Sequence, residues 1–95
     1  MSRRATTNQE WFFYIIRCRD GSLYSGITND LEERIEEHNR GTGAKYTFPR
    51  RPVTLVYSEK YGNTSEARKR EAQIKGWSKY KKEQLINGFP RLRSE

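Results

Sequence analysis

The sequence predicts an α+β domain with element order ββαβαα, its three strands forming an antiparallel sheet with the first strand in the middle. Three observations carry that expectation: a nearly continuous aromatic and β-branched run at residues 11–18, a second such run just after a Gly-containing turn, and two Asn-x-x-Glu signatures that each open a helical pattern.

The first run, Trp-Phe-Phe-Tyr-Ile-Ile-Arg-Cys, is apolar at successive positions, the pattern of a strand covered on both faces. Such a strand belongs in the centre of its sheet. Arg19-Asp20-Gly21-Ser22 marks a turn, and Leu23 to Thr28 returns as the second strand of a hairpin. The turn has a consequence for two tyrosines. An even loop centred on Asp20-Gly21 would send Tyr14 and Tyr24 to opposite faces, because side chains alternate with period two. A type I turn with Gly21 in the left-handed region makes an odd loop and puts them on one face.

Asn29 followed by Glu32 fits a helix-start capping pair, and Asp30 adds negative charge at the positive end of the helix dipole. This helix is expected to run to Arg40 and stop at Gly41. Residues 41–52 hold two glycines, two prolines and Lys45, Arg50 and Arg51, the makings of a basic loop. From Val53 to Glu59, Val53, Leu55 and Tyr57 alternate with Thr54, Val56 and Ser58 as in a half-covered strand. Asn63 with Glu66 repeats the capping signature and starts a second helix that breaks near Gly76, and Ser78 caps a third reaching Asn87. Residues 1–9 and 88–95 lack periodic apolar positions, so the expected organisation is one domain, 10–87, between two loose tails.

Of the 95 residues, 33% are hydrophobic and 33% charged, which suffices for one small core. A formal charge of +7 points to a polyanionic partner. That charge is uneven: residues 1–37 sum to −2 and residues 38–95 to +9, which suggests a one-sided basic face. Single copies of Cys and His, Cys18 and His38, remove disulfide frameworks, Cys/His zinc sites and schemes that need two histidines. Cys18 reads as a small reduced core residue. No apolar run approaches the ~20 residues of a membrane span, and no signal-peptide core precedes the domain, so a cytoplasmic protein is expected.

Several residues sit awkwardly in a purely structural account. In the first helix Leu31, Ile35 and His38 form one stripe with Arg34 at its edge, making Arg34 and His38 neighbours beside the core. Arg34 can instead bridge to Asp30 or Glu37. In the second helix the inward stripe reads Ala67, Glu71, Ile74. A lone buried carboxylate is costly unless paired, protonated or metal-bound; Arg68, Lys69, Arg70 and Lys75 are available partners, and an oxygen ligand for Mg²⁺ is the alternative. Tyr14 and Tyr24 suit strand packing, whereas Gly26 in mid-strand marks a bulge or a close approach.

Together these positions resemble the GIY-YIG nuclease superfamily, in particular its small stand-alone bacterial branch. The first motif is similar to Phe13-Tyr14-Ile15, with Phe for the usual Gly, and the second to Tyr24-Ser25-Gly26, with Ser for Ile. Arg34 follows, then His38 four residues on, and Glu71 on the helix after the third strand. The segments Gly43-Ala44-Lys45-Tyr46-Thr47 and Ala67-Arg68-Lys69-Arg70-Glu71 also resemble this branch. The likeness covers about residues 12–85. It implies hydrolysis of a phosphodiester bond by water at a single divalent ion, Mg²⁺ or Mn²⁺. By that resemblance Glu71 is the metal ligand, Tyr24 the general base or water-orienting group, and Arg34 the stabiliser of phosphoryl charge, while Tyr14 and His38 position water or phosphate. Two departures stand out. No Asn lies in the stretch 79–84 where the family often has one, Asn87 being nearest, and Ile27 and Thr28 stand where some relatives carry a lysine.

The expected activity is therefore a metal-dependent DNA endonuclease, acting on branched or damaged DNA in repair or recombination. Lys45, Arg50, Arg51, Lys69, Lys79, Lys81 and Lys82 are candidates for phosphate contacts, and Trp77 or Tyr80 for stacking on an exposed base. Two alternatives remain open: a nucleic-acid-binding module of the same fold with weak or no catalysis, and an adaptor that docks on an acidic protein. A protein partner that supplies targeting is also consistent with the small size.

Overall fold

A computed structural model of the protein describes residues 10–88. The expected tails, Gly88 apart, lie outside the described residues. The elements are β1 (Trp11–Arg17), β2 (Leu23–Thr28), α1 (Leu31–Arg40), a 3₁₀ turn (Phe48–Arg50), β3 (Thr54–Tyr61), α2 (Thr64–Lys75) and α3 (Lys79–Asn87). The sheet order is β2-β1-β3 with both pairings antiparallel, so the strand that is apolar on both sides is indeed central.

Both faces of β1 are used. Tyr14, Ile16 and Cys18 point to one side, where Val53, Tyr24, Leu31 and Ile35 close over them. Phe13 and Ile15 point to the other, against Ile74, Val56, Tyr57, Trp77, Leu85 and Ile86. The helices thus divide between the faces: α1 covers the Tyr14 side, and α2 and α3 bring apolar residues to the Phe13 side. Arg17, on the same side as Phe13, clamps α3 through a two-pronged bond to Glu83 at 2.7 and 2.8 Å.

The β1–β2 turn closes with the Gly21 amide donating to Cys18 O at 2.9 Å and the Cys18 amide donating to Ser22 O at 2.8 Å. This leaves a three-residue loop with Gly21 at φ +89°. The odd loop sets the register Tyr14↔Gly26 and Ile16↔Tyr24, which puts both tyrosines on one face. A Cβ at Gly21 would meet nothing within 4 Å, so only the backbone resists substitution there. Gly21→Ala is expected to destabilise the protein by about 1 kcal/mol, measured as a lower urea midpoint with unchanged slope.

Two local expectations need correction. The N-cap of α1 is Asp30, whose carboxylate accepts the Glu33 amide at 3.1 Å, rather than Asn29. Thr28 favours this choice because its hydroxyl accepts the Asp30 amide at 3.1 Å and so fixes the cap residue. The third strand begins at Thr54 and continues past Glu59 to Tyr61. Its alternation breaks at a bulge: Ile16 pairs with Leu55 but Ile15 with Tyr57, leaving Val56 as the extra residue. Leu55 is consequently exposed, while Val56 and Tyr57 both join the Phe13 cluster. The caps of α2 and α3 are Asn63 and Ser78, as the sequence predicts.

Past the bulge, Glu59 lies opposite Phe13. Its carboxylate accepts two bonds from Arg70, each 2.9 Å, one from Tyr61 at 2.6 Å and one from Tyr57. This network ties β3 to α2, and it takes Arg70 away from Glu71. No helix among the described residues is long and apolar enough to cross a membrane.

Candidate active site

The site is built on Tyr14, which is only 1% exposed although it sits on the central strand among aliphatic residues. Its ring lies across Gly26 on β2: a Cβ there would be 2.8 Å from the Tyr14 hydroxyl and 3.0 Å from Cζ. The mid-strand glycine therefore makes room for the phenol. At its tip the hydroxyl lies 2.9 Å from His38 Nε2 and accepts a bond from Arg34 Nε at 3.4 Å. One turn of α1 separates Arg34 from His38, so both reach the same oxygen. Arg34 also bonds Glu37 at 2.7 Å, so the outward salt bridge and the inward contact occur together.

His38 is fully buried. Burial drives its pKa down to about 4, with Arg34 pushing the same way and Glu37 opposing; at neutral pH the imidazole carries no charge. Burial likewise raises the Tyr14 pKa against the opposing influence of Arg34, and the neighbouring Tyr24 and Glu71 add to the rise. Tyr24 packs edge-on against His38, ring centroids 5.5 Å apart, and stacks on Tyr46 at 5.9 Å. The structure thus brings Tyr14, Tyr24, Arg34 and His38 together.

Glu71 belongs to α2, whose neighbouring positions Ala67 and Ile74 are fully buried. Its side chain is 21% exposed and lies 3.4 Å from Lys75 Nζ, the surface pairing the sequence allows. Its charge nevertheless reaches the Tyr14 hydroxyl. Among the described residues no group of three or more His, Cys, Asp or Glu gathers as a metal cage. A single accessible carboxylate fits Mg²⁺ or Mn²⁺, hard ions that take one or two carboxylates and fill their sphere with water and substrate phosphate. It does not fit an all-protein site.

The basic candidates divide. Arg50 donates to Tyr46 O at 2.7 Å, lies 3.3 Å from Asp20 and covers the Tyr46 ring at 3.9 Å. Arg51 donates to Phe48 O at 2.7 Å and covers the Phe48 ring at 4.3 Å. Lys45, Lys69 and Lys79 are exposed and Lys82 is half-buried. Lys79, Lys81 and Lys82 ride on α3, which packs against the Phe13 face and not beside Tyr14. Trp77, partly buried, packs against that core, with Lys81 Nζ 4.7 Å from its ring centre. Tyr80 stays exposed. Asn87 ends α3, on the same far side.

Two contributors escaped the sequence reading. Thr47 is fully buried, its Oγ1 2.9 Å from His38 Nδ1. Gly43 lets the loop lie against His38, since a Cβ there would stand 2.8 Å from the His38 Cα. The segment containing both resembled the small branch, but nothing in it pointed to the histidine.

The family model described as the GIY-YIG catalytic domain matches residues 10–84. UPF0213 proteins of Staphylococcus aureus are 57% identical over 75 residues, which is 79% of this chain and 92% of theirs. The solution structure of a UPF0213 protein from Bacillus halodurans superposes with a TM-score of 0.55 at 42% identity, covering 83% of this chain and 84% of that one. A protein from E. faecalis, also solved in solution, gives 0.61 at 42% identity over 93% and 94%. With the family model matching residues 10–84 and UPF0213 proteins 57% identical over most of their length, the chain belongs to the GIY-YIG family, within the UPF0213 proteins.

Proposed function

We propose that the protein is a divalent-metal-dependent endonuclease that hydrolyses DNA phosphodiester bonds. The observation that carries this reading is the meeting of Arg34 and His38 on the Tyr14 hydroxyl, with Tyr24 packed beside them, in a chain of the GIY-YIG family. These residue types suit hydrolysis by water, which needs no Ser or Cys nucleophile when a metal ion assists.

Each side chain has a separate task. Tyr24 orients the attacking water and takes its proton. A phenol does so only in a positive field, which Arg34 or the bound ion would supply. Arg34, held by Glu37 and Tyr14, directs its positive charge at the phosphoryl oxygens, where charge grows in the transition state. Tyr14 and His38 fix the geometry of the water or phosphate. Glu71 would hold the divalent ion, and Lys75, a solvated partner, would yield it without great cost. When bound, such an ion polarises a phosphoryl oxygen and steadies the leaving oxygen. Lys45 and Lys69, exposed, supply sequence-independent attraction to the phosphate backbone. Branched or damaged DNA, a role in repair or recombination, and a partner that supplies targeting are the finer parts of this proposal.

The test is a Mg²⁺ and Mn²⁺ titration with labelled single-stranded, duplex and branched DNA. Cleavage by the wild type is expected to disappear in Glu71→Ala and to fall in Tyr24→Phe. Cleavage that survives both substitutions would refute the site. Metal-independent binding without cleavage would instead assign the protein as a binding module, and no affinity at low salt would leave the adaptor reading.

A further inference from the structure

The hydrogen bonds around His38 form one chain with a fixed direction. At one end stands Arg34, whose Nε–H can only donate, and it donates to the Tyr14 oxygen at 3.4 Å. At the other end stands the Ala44 carbonyl, which can only accept, and it accepts the Thr47 hydroxyl at 3.1 Å. Between them lie the Tyr14 hydroxyl, His38 Nε2 at 2.9 Å, His38 Nδ1 and Thr47 Oγ1 at 2.9 Å. Tyr14, His38 and Thr47 are at most 1% exposed, so their bonding is met by one another rather than by bulk solvent. A neutral imidazole carries one proton, leaving two arrangements.

If the proton were on Nε2, His38 and Arg34 would both donate to Tyr14, whose own hydroxyl proton would then have no acceptor among its neighbours. An unmet buried O–H forfeits its hydrogen bond to water with nothing in exchange. If the proton is on Nδ1, every group is met: Arg34 to Tyr14, Tyr14 to His38 Nε2, His38 Nδ1–H to Thr47, Thr47 to Ala44. Thr47 is placed for this by its own loop, since its amide also donates to Ala44 O at 3.2 Å and the Ala44 amide donates to its Oγ1 at 3.4 Å.

We infer that Thr47 is a positioning residue of this site: with Arg34 setting the direction of the chain at Tyr14, Thr47 accepts the hydrogen bond from Nδ1 and so holds His38 as the Nδ1–H tautomer, which makes Tyr14 a hydrogen-bond acceptor, not a donor, toward whatever enters. An acceptor orients water by its proton and does not hold phosphate oxygen. The catalytic half of this inference rests on the nuclease reading; the tautomer does not. It narrows the task of Tyr14 to the water side of the reaction. It also links the loop that bears Lys45 and Tyr46 to the chemistry through a single hydroxyl.

His38 is the only histidine in the sequence, so imidazole nitrogen NMR at neutral pH reads it without assignment. The wild type is expected to show a protonated Nδ1 and a bare Nε2. In Thr47→Val the Nδ1–H signature should be lost in favour of Nε2–H or a mixture, and Thr47→Ser should restore it. Under the nuclease reading, kcat in Thr47→Val falls roughly 10- to 100-fold, KM for DNA stays unchanged and Thr47→Ser recovers the rate. An Nε2–H tautomer in the wild type, or an Nδ1–H tautomer unmoved in Thr47→Val, overturns the inference. Should the valine variant fail to fold, the wild-type and Thr47→Ser spectra decide the tautomer alone. A protein with the Nδ1–H tautomer that never cuts DNA would sink the nuclease reading and leave the lock standing.

Discussion

Gly26→Val is expected to cost about 3 kcal/mol of stability and to dismantle the candidate site in the same step. Even the first carbon of a side chain at this position would lie 2.8 Å from the Tyr14 hydroxyl and 3.0 Å from its ring, closer than carbon and oxygen tolerate. Valine adds two more. The sheet cannot yield easily, because β2 is paired to β1 along its length and residue 26 faces residue 14 directly. The phenol must therefore move, and its contacts to His38 and Arg34 move with it. Equilibrium denaturation should show a lower midpoint with unchanged slope, and the His38 ring signals should shift. A valine variant as stable as wild type, with undisturbed His38 signals, would mean that Tyr14 does not lie across this glycine.

The second large effect is expected on the other face. Glu59→Ala strands the Arg70 guanidinium and the Tyr57 and Tyr61 hydroxyls that now converge on one carboxylate. Breaking a buried pair costs 3–5 kcal/mol; with side chains 17% and 23% exposed, a value of about 3 kcal/mol is expected. Burial lifts the Glu59 pKa, but the bonds from Arg70, Tyr57 and Tyr61 outweigh it and leave the carboxyl below its usual range. A lowered folded-state pKa stabilises above the ordinary value of 4.5, and that stability is lost as pH falls through the folded value. For Tyr57 and Tyr61 burial and then the bond to Glu59 push both pKa values up to about 12. Their contribution is complete below pH 10 and is lost as pH rises toward 12. Unfolding free energy measured across pH should therefore fall at both extremes in the wild type and fall less in Glu59→Ala. Equal slopes in the two proteins would show that Glu59 is not the centre of this network.

What could be read from the sequence depended on how local its cause was. The central place of β1 followed from its unbroken apolar run, and the common face of Tyr14 and Tyr24 from the geometry of a single turn at Gly21. Arg34 and His38 were paired by helix spacing alone. One failure was local and the others came where two segments distant in sequence decide the matter. The capping signature places the cap at Asn29 and leaves Asp30 only a dipole role, whereas the neighbouring Thr28 hydroxyl favours Asp30 as the cap. The β3 bulge leaves no mark on the alternation of Val53, Leu55 and Tyr57, because only pairing with Ile15 and Ile16 reveals the extra residue. Arg70 was an open choice beside Glu71 until Glu59, eleven residues earlier, claimed it. Thr47 and Gly43 looked like loop residues because their partner is on another element.

The guanidinium contacts described above have one more consequence. Arg17, Arg34, Arg50 and Arg70 are held by carboxylates, Arg19 and Arg51 by backbone carbonyls, and Arg50 and Arg51 also lie over aromatic rings. A fork occupied in this way does not turn both prongs to a new anion without surrendering what it holds. The positive charge is therefore of two kinds. Six of the described arginines knit the fold, whereas Arg40 and Arg68 are exposed, as are Lys45, Lys69 and Lys79. An ammonium attracts from any direction and fixes no orientation. A polyanion drawn to these lysines would be gathered without being aligned, and Arg34, whose guanidinium divides its bonds between Glu37 and Tyr14, would contribute alignment at the site.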